Sequence, residues 1–176
     1  MPAVVLLLTA LTAVWPLVPR PEVVAPFDPP ASTWGAGHRG VDLLGRPGQV
    51  VRSAAAGTVT FAARLAGRGV VVVDHGDTRM TYEPVRATVH SGERVDEGQP
   101  LGRLELAMSH CFPRACLHWG LLRGDTYLDP LTLVGAGPVR LLPWQSPPVA
   151  VAPAAGTWAF KPVGALAGRP GAGAPW

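Results

Sequence analysis

Between Trp34 and Val134 the chain never sustains a helical pattern: no stretch of helical length repeats apolar residues at i, i+3, i+4 and i+7. Short apolar runs alternate instead with turns marked by glycine, at residues 49–53, 57–63, 69–74, 79–82, 101–106 and 117–122. Val71, Val72 and Val73 are β-branched and bracketed by Gly69 and Gly76, which suits a pleated strand ending in turns. The expected fold is therefore mainly β, an antiparallel, sandwich-like single domain over residues 33–135. With 21 Gly and 20 Pro in 176 residues, the rest of the chain reads as flanks around that one domain.

The flanks divide by composition. Residues 3–18, AVVLLLTALTAVWPLV, carry no charge but fall short of the roughly 20 apolar residues that span a bilayer as a helix. A basic start and a small-residue cleavage site are both missing. Pro16, Pro19 and Pro21 end the run abruptly, so residues 1–19 read as a secretory signal or short membrane anchor, with a buried core helix as the alternative. Residues 20–32 hold four prolines and read as an extended linker, and residues 136–176, rich in Pro, Ala and Gly, as a disordered tail. The expectation is a secreted or envelope-associated protein that meets a membrane only through its N-terminal segment, and a monomer.

Charge argues against nucleic acid as a partner. The formal net charge is +3, but residues 31–135 hold 11 Arg against 10 acids, so no basic stripe is concentrated on the domain. No glycine-rich segment is followed by the Lys-Ser/Thr pair of a phosphate cradle, which excludes a nucleotide site of that kind.

Chemistry-bearing residues fall in two places. In Gly37-His38-Arg39-Gly40-Val41-Asp42, His38 and Asp42 are four residues apart and project to one side of either a strand or a helix. In Cys116-Leu117-His118-Trp119, the two-residue spacing sends Cys116 and His118 to one face of a strand and Leu117 and Trp119 to the other. Two imidazoles and a carboxylate with an open fourth position are a common way to hold catalytic zinc. Trp34 and Trp119 flank these residues and read as core or cleft wall, or as the lining of a peptide groove.

Five segments in register carry a family resemblance: HRGVD, GQVVRSAAAGTV, GVVVVDHGDTRMTYEPV, SGERVDEGQPLGRL and CLHWGLLRGDTYLDPL. Over residues 34–134 the chain resembles the lysostaphin-like zinc metallopeptidases, which cut cross-bridges or stems of bacterial peptidoglycan. The resemblance implies one zinc ion on His38, Asp42 and His118. It also exposes two departures, because two further family histidines fall here at Cys116 and Pro84.

His110, in SHCFPRAC just before the zinc strand, is the candidate replacement, with a solvated loop position as its bland reading. His110 and Cys116 are thus the residues offered for catalysis beside the metal trio. Glu83 is a second candidate base, His75 reads as a turn residue, and His90 is given no role. Export favours a Cys111–Cys116 bridge that folds the loop over the site; two free thiols, or a closed zinc site with His110 and His118, are the alternatives. Arg39 and Arg114 are candidates to hold a substrate carboxylate. The implied function is zinc-dependent hydrolysis of peptidoglycan peptides, and the alternative is a degenerate zinc-binding module that binds the wall or activates another hydrolase.

Overall fold

The computed structural model describes residues 13–32 and 35–136. Eleven strands follow in chain order: β1 (Val23–Ala25), β2 (Val41–Gly45), β3 (Val50–Arg52), β4 (Gly57–Leu65), β5 (Arg68–Asp74), β6 (Arg79–Glu83), β7 (Val85–Ala87), β8 (Arg94–Val95), β9 (Pro100–Leu104), β10 (Ala115–Arg123) and β11 (Thr126–Leu128). A 3-10 turn over Pro130–Val134 follows them, capped by Asp129, whose carboxylate accepts from the Leu131 N–H. The large sheet runs β1-β2-β10-β6-β5-β4-β8, with β11 paired to β10, and the small sheet runs β3-β9-β7. Every ladder is antiparallel, as the alternating pattern predicts.

One core takes side chains from both sheets: Leu43, Val71, Val73, Met80, Tyr82, Leu117 and Trp119 from the large one, and Val51, Val85, Leu101 and Leu104 from the small one. Alternation along the central strand β10 sends Leu117, Trp119 and Leu121 into this core and leaves His118 on the opposite face. Trp119 is fully buried, which rules out the groove-lining role offered for it; Trp34 lies outside the described residues. Tyr82 is the one phenol at the centre of the core, and burial pushes its pKa up to about 12. Its oxygen accepts from the Ala54 N–H at 3.0 Å and its hydroxyl donates to Met80 Sδ at 3.4 Å, so the polar end is satisfied where the apolar ring is packed.

The segment expected to be a linker belongs to the fold. Within residues 20–32, β1 pairs with β2, and Asp28 forms a two-way backbone bridge with His38. The domain also reaches back before residue 20. Leu17 is fully buried, Ala13 and Trp15 pack on the core, and the backbone of Val14 and Pro16 bonds to Ala54 and Arg52 beside β3. An apolar run and a proline-rich run both look like flanks in sequence, because apolarity alone does not distinguish a core from a membrane. Residues 1–12 of the proposed signal, and the tail beyond Ala136, lie outside the described residues.

Candidate metal centre

Two adjacent strands set up the site. In the β2–β10 ladder Asp42 and His118 are direct cross-strand partners, so their side chains stand on one face a few ångströms apart. His118 Nδ1 lies 2.9 Å from Asp42 Oδ1. His38 reaches the same point from the loop before β2, with Nε2 at 3.1 Å from Asp42 Oδ1 and 3.1 Å from His118 Nδ1. That loop is pinned by the Asp28 bridge, and the His38 ring is fixed by its other nitrogen, Nδ1, which donates to the Pro26 carbonyl at 2.7 Å. The donation leaves Nε2 with its lone pair directed at the cluster, the arrangement a metal-binding histidine needs.

Gly40, inside the same short segment, makes room for the trio. A Cβ on it would stand 2.5 Å from the Trp119 carbonyl and 2.8 Å from His118 Nε2, so only a bare α-carbon lets the His118 ring lie where it does. The letters HRGVD contain this requirement, although spacing arguments attend to the His and the Asp. The Pro26 carbonyl had no sequence signal at all, since any residue offers one.

His110 joins the cluster. Its Nδ1 lies 3.3 Å from Asp42 Oδ1, and its ring centroid is 4.8 Å from that of His118. Three imidazoles thus converge on a single carboxylate oxygen, and one donor atom from each of the four residues lies within 4.8 Å of all the others. Burial works to raise the Asp42 pKa, but hydrogen bonds from His110 and His118 and the charge of His38 outweigh it and hold the carboxyl well below the ordinary range. The hydrogen bond to Asp42 in turn raises the His110 pKa.

These residues fit a zinc ion. Bonds of about 2.0–2.1 Å in a tetrahedron put donor atoms roughly 3.3 Å apart. The separations within His38, Asp42 and His118, 2.9 to 3.1 Å, need only a slight spreading to reach that value. Two neutral imidazoles and an ionised carboxylate are also the charge and donor types that zinc takes.

A family model described as peptidase family M23 matches residues 36–130, more than half of the chain. The chain belongs to peptidase family M23. An uncharacterized protein of Mycobacterium tuberculosis is 47% identical over 137 residues, covering 75% of this chain and 55% of its own length. The chain therefore spans about half the length of that curated relative. Among solved structures, a zinc-containing peptidase from Vibrio cholerae aligns with a TM-score of 0.56 at 20% identity, over 65% of this chain and 37% of its own. Lysostaphin aligns with a TM-score of 0.54 at 23% identity, over 66% of this chain and 51% of its own. These two likenesses speak for the fold.

Within the M23 domain the remaining expected residues separate clearly. Cys116 does not stand free as a catalytic group: its sulfur is bonded to Cys111, with the two Cα atoms 5.7 Å apart, so it has no thiol proton to exchange. The same bridge excludes the free-thiol and zinc–thiolate alternatives. Glu83 is the cross-strand neighbour of His118 on the β6 side, but its carboxylate accepts from Arg68 at 2.8 Å. His75 Nδ1 lies 2.7 Å from the Ala56 carbonyl, and His90 is exposed. Arg39 and His118 both line a groove of about 570 Å³ walled by Phe61, Val72, Leu122 and Tyr127, whereas Arg114 lines a different depression. Among the described residues no helix is long and apolar enough to cross a membrane.

Proposed function

We propose that this M23 domain is a zinc-dependent hydrolase of peptidoglycan peptides, acting outside the cytoplasm. The observation that carries the reading is the convergence of His38 Nε2, Asp42 Oδ1 and His118 Nδ1 at zinc-like separations, with His118 lining an open groove. Family membership and the zinc-containing relative of like fold support the same choice of metal.

Bound zinc supplies Lewis acidity, to a carbonyl and to a water. The chain supplies the rest. Pro26 and the backbone bridge at Asp28 keep the His38 ring in register, and the ladder holds Asp42 against His118. The apolar groove walls and the two arginines that line it, Arg39 and Arg79, suit an extended peptide bearing a carboxylate, which would lie along β6 with its amide beside His118. With Cys116 in a disulfide and Pro84 unable to titrate, His110 Nδ1 is the atom left to take up a proton and return it to the departing amine.

A second reading draws on the same two positions. A module without its usual imidazoles would bind wall peptides or activate another hydrolase and cut nothing. Incubating the full chain with zinc and cross-linked peptidoglycan distinguishes the two. Release of new amines that disappears in His118→Ala supports the hydrolase; stoichiometric zinc and binding to sacculi without release supports the module.

A further inference from the structure

We infer that His110 is a fourth protein ligand of the metal, so that the substrate-free centre is closed by three imidazoles and one carboxylate. The inference rests on the metal-centre reading above and deepens it.

Two facts about the 109–116 loop point this way. The first is that His110 is held on both sides. Its neighbour Ser109 is buried, and the Ser109 hydroxyl donates to the Arg114 carbonyl at 2.9 Å while accepting from the N–H groups of Cys111 and Cys116. Its other neighbour, Cys111, is bonded to Cys116 on the zinc strand. A solvated loop histidine needs neither anchor. The second is where the ring points. Its Nδ1 stands 3.3 Å from Asp42 Oδ1, the donor separation expected within one tetrahedral shell (roughly 3.3 Å).

The other three donors stand 2.9 to 3.1 Å apart, close to that value, and the widest gap in the set of four is 4.8 Å. Closing it takes a shift of about 1.5 Å, within reach of a side-chain rotation on a fixed backbone. The His110 side chain is about one-third exposed, so it has room to swing away. Its departure would open the fourth position beside the groove and free the same nitrogen to receive a proton. The closed form is a resting state and the open form the working one.

The test uses the full chain and reads metal, not turnover. Zinc affinity is measured by competition with a chromogenic chelator for the wild type, His110→Ala, His38→Ala and His90→Ala, and the zinc-loaded wild type is examined by X-ray absorption. We expect His110→Ala to weaken zinc at least tenfold, His90→Ala to leave it unchanged, and the absorption spectrum to require three imidazoles. Wild-type affinity in a folded His110→Ala, or a spectrum that requires only two imidazoles, overturns the inference while His38→Ala still loses the metal. A wild type that takes up no zinc overturns both this inference and the metal-centre reading. The absorption measurement needs no variant, so a His110→Ala chain that fails to fold leaves the decision intact.

Discussion

Asp42 and His118 are 76 residues apart in sequence yet stand opposite each other in one antiparallel ladder, with 2.9 Å between carboxylate oxygen and imidazole nitrogen. Two fixed donors therefore come from backbone pairing, and only His38 and His110 depend on loops. Replacing Asp42 by Ala removes the single oxygen on which the three imidazoles converge. Zinc affinity is expected to fall by more than the roughly 10–100-fold typical of losing a supporting partner of a ligand. Titration calorimetry on chelator-stripped protein measures this directly.

Gly40→Ala tests the close approach beneath the site. The added methyl meets the Trp119 carbonyl at 2.5 Å, which is backbone and cannot step aside. A loss of about 1–3 kcal/mol is expected from overpacking of this kind, together with weaker zinc binding, because the His118 ring must move. Urea unfolding with and without zinc separates the two effects.

Tyr82→Phe is the complementary case, a change in the core that does not touch the metal. It strands the Ala54 N–H, now satisfied at 3.0 Å, and should cost about 1–3 kcal/mol in urea unfolding. Zinc affinity should stay at the wild-type value. A large loss of zinc would mean that the core and the site are coupled more tightly than the packing implies.

The shifted groups set a pH window for the metal-free chain. The Asp42 carboxyl titrates lower in the folded protein than in the unfolded chain, so its stabilisation is full above the usual carboxylate pKa, about 3.9, and is lost as pH falls further. His110 is shifted upward by its bond to Asp42, so its contribution is full below about 6.5 and is lost as pH rises through its raised value. Between them the two groups favour stability at roughly pH 4–6.5. Asp42→Asn should flatten both slopes, since it removes the charge that His110 responds to. Urea midpoints across pH 3 to 8 in a chelator, wild type against variant, check the expectation.

How much of this could be read from the sequence depends on what each residue needed. The strands were legible because short apolar runs broken by glycine turns are a local signal, and the β-branched valines of β5, bracketed by Gly69 and Gly76, carry it in four consecutive letters. His38, Asp42 and His118 were legible as a set because each is of a type that chemistry requires. The N-terminal boundary was not. Leu17 is as apolar as any membrane-segment residue, and only its packing among the buried residues of the domain makes it a core residue. Pro26 supports His38 through a carbonyl that every residue possesses, and Cys116 could be placed on the site's strand while its redox state was still open. His110 required both the bridge and the Ser109 anchor before its loop acquired a fixed direction.

One divalent ion is expected where the two strands and the His38 loop meet. A crystal of the zinc-loaded chain, with anomalous data collected on both sides of the zinc edge, tests it most directly. A single strong peak is expected about 2.0–2.1 Å from His38 Nε2, Asp42 Oδ1 and His118 Nδ1. No peak there, or a zinc held by other residues, would contradict it.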